Sequence, residues 1–150
     1  MIRLPGGTKF QPVDDGIPNF PDGTMLVKTF FYYNDKRDPS KGKRIIETRI
    51  LVKENSEWSF GTYLWNKEQT DAYLFESGIN KTVNWIDENG NGKVISYRVP
   101  NNKEGSTCHS SDNAFTPIGP KIRNLNINVI RNSITINQLQ YFQDSGLVAS

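Results

Sequence analysis

Cys108 and His109 stand side by side in "GSTCHSSDNAFTPIGP", and each is the only residue of its kind in the 150-residue chain. A thiolate is a nucleophile and soft metal ligand, and an imidazole is a base and metal ligand. A cysteine hydrolase is a poor fit, because its Cys and His meet from separate chain segments and no second histidine remains to act as base. A tetrahedral zinc site would need further Cys or His ligands. Elsewhere, "DENGNG" places Asp87, Asn89 and Asn91 at positions 1, 3 and 5 of a calcium loop with Gly92 at 6, but position 12 is Arg98 where a bidentate Glu belongs. The stretch is also flanked by strand-like runs, so it reads as a tight hairpin. Glu47, Glu68 and Asp71 could form a glycosidase-type acid–base pair, but nothing in their spacing brings two of them together. Their expected places are solvated strand ends and loop caps. Phe30, Tyr32, Trp58, Trp65 and Trp85 could make a sugar-stacking platform, though core packing is the commoner use of such residues.

The Cys-His pair fits one further chemistry. Haem c is attached through Cys-x-x-Cys-His, with thioethers to the cysteines and the histidine as iron ligand. Here the first cysteine position is Gly105. A haem reading makes Cys108 the tether and His109 the metal ligand, with Phe115, Ile118 and Leu125 as apolar walls. The opposing reading makes Cys108 an ordinary buried thiol and His109 a loop residue.

The elements that must position this loop are short and β-rich. "TMLVKTFFYY" (24–33), "RIIETRILVKE" (44–54), "EWSFGTYLWN" (57–66), "DAYLFES" (71–77), "KTVNWID" (81–87) and "KVISYRVP" (93–100) are β-branched or aromatic and partly alternating. Such runs, punctuated by turn residues, predict an all-β fold, a mainly antiparallel sandwich or partial barrel. "NDKRDPSKGK" (34–43) and "ENSE" (54–57) read as hairpin loops. Residues 1–23, with Pro5, Pro12, Pro18 and Pro21, read as an irregular lead-in, and 24–100 as the antiparallel β domain. The Cys-His loop and a helical tail in 101–150 pack on it, one domain in all. "KIRNLNINVIRN" (121–132) is ambiguous between strand and helix. "TINQLQYFQDSGL" (135–147) predicts a short C-terminal helix with Thr135 as N-cap and Gly146 as stop.

Composition sets outer limits. A chain of this length buries about two-thirds of its unfolded surface. It is 35% hydrophobic and 11% aromatic, with net charge +2 and mixed signs, so no electrostatic case exists for nucleic acid or an anionic membrane. No apolar run approaches the roughly 20 residues that span a bilayer, which predicts no membrane insertion. "MIRLPGGTKF" lacks the apolar stretch of a signal peptide.

In order, "FPDGTMLVKTFFYYND", "IETRILVKENSEWSFGTYLWNKEQTDA", "WIDENGNGK", "YRVPNNKEGSTCH", "TPIGPKIRNLN" and "INQLQYFQDSGL" resemble a family of secreted bacterial dihaem c-type cytochromes. The likeness covers roughly residues 20–147. The "FPDGT…VK" opening is also loosely similar to the mainly antiparallel cytochrome P-460 type. The resemblance implies haem c as cofactor, with Cys108 as thioether attachment and His109 as proximal iron ligand. It implies that Pro117, Ile118, Gly119 and Pro120 form a turn along the haem edge, a Pro carbonyl orienting the His N–H. The distal ligand is not identified by it; Met25, Lys28 and Lys53 are the side chains that could approach. Two departures are plain: Gly105 replaces the family's first cysteine, and the second haem motif lies beyond the helix at which this chain stops.

The expected function is therefore a haem c redox domain of a periplasmic or extracellular cytochrome, with an unknown redox partner protein. The alternative is a haem-free β-sandwich module that binds a partner protein or carbohydrate, Gly105 marking the loss of the site. Neither reading names a catalytic residue.

Overall fold

The fold was taken from a computed structural model, which describes residues 1–101, 103–104, 110–111 and 114–149, the side chains of 110, 111, 114 and 115 excepted. The main sheet has the strand order β1-β2-β3-β4-β5, formed by Ile2–Arg3, Met25–Tyr33, Lys43–Glu54, Glu57–Trp65 and Ala72–Leu74. Two longer ribbon strands, β6 (Ser77–Ile86) and β7 (Gly92–Asn101), pair antiparallel from Ser77↔Asn101 to Ile86↔Gly92. The hairpins Ser110–Ser111 (β8) with Ala114–Phe115 (β9), and Asn128–Arg131 (β10) with Ile134–Asn137 (β11), complete the strands. Two short helices follow the β8–β9 hairpin in sequence, α1 (Ile122–Leu125) and α2 (Gln138–Asp144). The all-β class with a short helical tail is as the sequence predicts.

The turns have local causes. Asn55 and Ser56 both take positive φ (51° and 65°), as do Asn132 and Ser133 (49° and 64°). Two consecutive residues of positive φ make a type I′ turn, whose twist matches a two-residue hairpin. The second of these turns corrects the expected tail helix. The β-branched run Ile134–Ile136 pairs back on β10 (Val129↔Ile136, Ile130↔Thr135), so Thr135 is a strand residue. The helix starts later, where the Asn137 side chain accepts the Gln140 amide at 3.0 Å.

The chain divides into two compact units, with β2, β3 and β4 contributing residues to both. The first holds Met1–Leu26, Leu51–Ser59 and the described residues from 110 onward. Its core is Phe10, Phe20, Leu26, Leu125, Phe142 and Val148. Phe10 lies 5.5 Å from Phe20 and edge-on to Phe142 at 6.2 Å, while Trp58 meets Phe20 edge-on at 5.9 Å. These anchors order the proline-rich lead-in. Phe10 also pairs in parallel with Val148, through Phe10 N to Leu147 O (3.0 Å) and Ala149 N to Phe10 O (2.9 Å). "FPDGT" is a lock on the β3–β4 turn: Asp22 accepts the Ser56 amide at 3.0 Å, and the Gly23 amide donates to Lys53 O at 2.6 Å.

The second unit holds Val27–Ile50 and the described residues from Phe60 to 104, around Ile46, Leu64, Val83 and Val99. The buried Asp35 accepts a bidentate fork from Arg37 (Nε 2.9 Å, Nη2 2.8 Å) and a bond from Lys41 Nζ (2.9 Å). Those hydrogen bonds, Arg37 first, hold its carboxyl well below the usual range. Gly90 at the β6–β7 tip has φ 86°, and a Cβ there would meet Arg37 Nη1 at 2.7 Å, so this turn needs glycine.

Candidate functional site

Gly105, Cys108 and His109 lie outside the described residues, but both flanks of their loop are described. On the upstream side, β7 ends at Asn101, and Asn101 and Glu104 form a reciprocal cap. The Glu104 amide donates to Asn101 Oδ1 at 2.7 Å, and the Asn101 amide donates to Glu104 Oε2 at 2.8 Å. Arg98 Nη2 donates to both Glu104 carboxylate oxygens (3.0 and 3.1 Å). The Asn101 amide and then Arg98 draw the Glu104 carboxyl below its usual range. Gly78 makes this packing possible. Its φ is 71°, and a Cβ would lie 2.8 Å from Arg98 Nη2 and 2.9 Å from Asn101 N. On the downstream side the chain is paired again at Ser110↔Phe115. Only positions 105–109 separate the capped Glu104 from the paired Ser110.

The turn expected along the haem edge follows. Pro117 is buried, Ile118 is 50% exposed, Pro120 is half-buried, and a Cβ on Gly119 would meet open space. Asn124 Nδ2 fixes the turn by donating to Gly119 O at 3.0 Å, and Ile122 N donates to Gly16 O at 2.7 Å. Ile118 is thus an uncovered apolar side chain on an anchored turn. Leu125, considered as a wall residue, is buried in the first unit's core cluster with Phe10, Phe20 and Phe142. The Phe115 side chain lies outside the described residues. Among the side chains considered as a distal ligand, Lys53 Nζ donates to Phe20 O (2.8 Å), Lys28 Nζ sits 4.7 Å over the Phe30 ring, and Met25 is half-buried in β2.

A second polar centre was missed by the sequence reading, which placed Glu47 at a solvated strand end. Glu47 is fully buried on β3, and its Oε1 accepts Arg49 Nη2 at 2.6 Å and the Tyr97 hydroxyl at 2.7 Å. Desolvation first, then the hydrogen bond to Glu47, pushes the Tyr97 phenol well above its ordinary range. Tyr32 lies between Trp85 (4.9 Å between centroids) and Tyr97 (6.3 Å, edge-on). Three buried side-chain atoms in the described residues have no hydrogen-bond partner, and all fall in this unit: Glu47 Oε2, Arg49 Nε and Trp85 Nε1. Motif residues line its margin. Arg49 stacks 4.6 Å over Phe30, Trp65 Nε1 donates to Thr48 Oγ1 (3.0 Å), and Thr48 meets Thr29 (3.2 Å). The aromatic residues considered as a sugar platform are therefore engaged with neighbouring side chains.

The carboxylates considered for catalysis do not converge. Glu68 is exposed, and Asp71 accepts the Ala72 amide at 2.7 Å. Asp87 is spent on its own turn, accepting the Asn89 and Asn91 amides (2.9 and 2.8 Å) and pairing with Lys93 (3.2 Å). The hairpin reading of "DENGNG" holds. Among the described residues no cluster of three His, Cys, Asp or Glu could hold a metal ion. No helix among them is long and apolar enough to cross a membrane.

Comparison with family models, with curated proteins and with solved structures finds no match to this chain. The donor set is the remaining test of a haem c site. It fits one covalent tether and one imidazole ligand, and it does not fit double attachment, because position 105 carries no thiol.

Proposed function

We propose that this chain is a haem c-binding redox domain of a periplasmic or extracellular electron-transfer protein, tethered through Cys108 alone. The observation that carries the reading is the adjacency of the chain's only thiol and only imidazole in the sequence. The capped Asn101–Glu104 turn stands before the pair in sequence, and the paired Ser110 with the Pro117–Pro120 turn stands after it. The exposed Ile118 and the open space at Gly119 add an uncovered apolar edge within the same loop region. The resemblance of the ordered motifs to those of the dihaem cytochromes, and the β-rich fold it implies, support the same reading.

Haem bound there would supply one-electron redox chemistry. The chain's own residues have distinct tasks. Cys108 would hold the haem through a thioether, His109 would be the iron ligand, and a carbonyl of Pro117 or Pro120 would orient the imidazole by accepting its second N–H. Ile118 would help to exclude water from the site. Gly78, Arg98 and Glu104 hold the upstream end of the loop at its starting point.

The test is a pyridine haemochrome spectrum of protein made in a host with c-type maturation, run beside Gly105→Cys and Cys108→Ser. A single thioether leaves one vinyl group conjugated, so the wild-type reduced band should lie to the red of the Gly105→Cys band. Cys108→Ser should carry no covalent haem. If wild type folds and carries no haem, the reading fails, whether or not Gly105→Cys carries it, and the haem-free interaction module takes its place.

A further inference from the structure

We propose that Tyr97 is a redox-active tyrosine that passes its proton to Glu47 when it is oxidised, with the oxidising equivalent reaching it from Trp85 across the Tyr32 ring. The inference is independent of haem at Cys108. It rests on geometry within the second unit alone.

Proton transfer needs donor and acceptor within hydrogen-bond reach, and the Tyr97 hydroxyl donates to Glu47 Oε1 at 2.7 Å. Glu47 is fully buried, so the transferred proton stays beside the phenoxyl oxygen and does not exchange away into solvent. The guanidinium of Arg49, 2.6 Å from the same oxygen, holds the carboxylate in place. An oxidised phenol is a far stronger acid than a carboxylic acid, so this partner does not prevent the transfer. At rest the phenol is held protonated by burial and by Glu47, so loss of an electron must move the proton as well.

Electron flow has a matching direction. The Trp85, Tyr32 and Tyr97 rings follow one another at 4.9 and 6.3 Å between centroids. Trp85 Nε1–H is buried and meets no acceptor among the described residues, so an oxidised Trp85 that keeps its proton remains a strong oxidant. Tyr97, the ring with a proton acceptor, is the sink. A buried polar atom without a partner is a feature expected at redox or catalytic positions.

The step balances as follows. A strong one-electron oxidant, of the photogenerated Ru(III) polypyridyl class, takes one electron from the Trp85 indole and is itself reduced. One electron tunnels from Tyr97 to Trp85 across the Tyr32 ring, which stays reduced and protonated, and restores Trp85. The Tyr97 O–H bond breaks and its proton goes to Glu47 Oε1. The products are a neutral phenoxyl radical at Tyr97, a neutral carboxylic acid at Glu47, and an unchanged Arg49 cation.

The experiment is flash oxidation of the intact protein with tris(bipyridine)ruthenium(II) and persulfate, followed by freezing and EPR. A long-lived tyrosyl signal should form in wild type, disappear in Tyr97→Phe, and decay faster in Glu47→Gln, whose amide cannot hold the proton. Trp85→Phe should slow its formation. Where a variant fails to fold, 3-fluorotyrosine placed at position 97 is nearly isosteric and should add fluorine hyperfine splitting to the signal. The proposal is overturned if Tyr97→Phe keeps the same signal, or if fluorination at 97 leaves the spectrum unchanged.

Discussion

The two units solve the same problem in different ways. The first is closed by apolar side chains from distant parts of the chain, Phe10 and Phe20 from the lead-in and Phe142 and Val148 from the tail, with aromatic edges interlocked. The second has a smaller apolar centre, Ile46, Leu64, Val83 and Val99, and buries three carboxylates, Asp35, Glu47 and Asp87. Apolar burial is insensitive to pH and tolerant of partner identity. A buried carboxylate is stable only while its donors are present. The first unit is therefore a packing device, and the second holds the ion pairs of the described residues.

This contrast can be broken at either end. Phe10→Ala removes a ring that touches Phe20 and Phe142, and should cost about 4 kcal/mol, with no change in pH dependence. Denaturant unfolding reported by Trp58, after replacing Trp65 and Trp85 by Phe, measures it. Glu47→Gln leaves the Arg49 guanidinium without its counter-charge, and should cost about 3 kcal/mol. Reported by Trp65 in a Trp58→Phe background, the same experiment should place that loss in the second unit. Gly78→Ala forces a Cβ onto Arg98 and Asn101 from a positive-φ position, and should cost about 2 kcal/mol while loosening the cap that opens the Cys-His loop. Backbone amide exchange at Asn101 and Glu104 should quicken.

The smallest effect sharpens the comparison through pH. The carboxyl of Asp35 is depressed in the folded state, so its contribution is fully present above the ordinary Asp range. It is lost as pH falls below about 4 toward the folded value. The shifts at Asp87 and Glu88 run the same way. Acid titration should destabilise the second unit first, and Asp35→Asn should flatten its pH profile in this range. Equal acid loss in both units would remove the distinction drawn between them.

The strands were legible because β-branched and aromatic runs were separated by residues suited to turns. Segments expected at 24–33, 44–54, 57–66, 81–87 and 93–100 are observed with ends within a few residues. The tail was misread at one point: Thr135 is a good N-cap by type, but the positive-φ pair Asn132–Ser133 returns the chain as a strand first. The lead-in reads as irregular because prolines conceal what Phe10 and Phe20 do: Phe10 meets Phe142, more than a hundred residues away, and Phe20 meets Trp58. Glu47 was illegible for a similar reason. The charged Arg49 on the same strand face reads as a solvated position and masks the hint given by Ile45, and Glu47's partner Tyr97 arrives from a strand fifty residues on. The Cys-His pair shows the reverse case. Its chemistry is read from residue type and adjacency, while the Asn101–Glu104 cap that precedes the pair in sequence could be seen only once β7 was placed.

The measurement that bears most directly on the functional claim is the intact mass, under denaturing conditions, of the wild-type protein made with c-type maturation. The account predicts one haem per chain retained after denaturation, and its loss in Cys108→Ser. A folded wild-type protein with only the polypeptide mass would contradict it, whether or not Gly105→Cys carries haem.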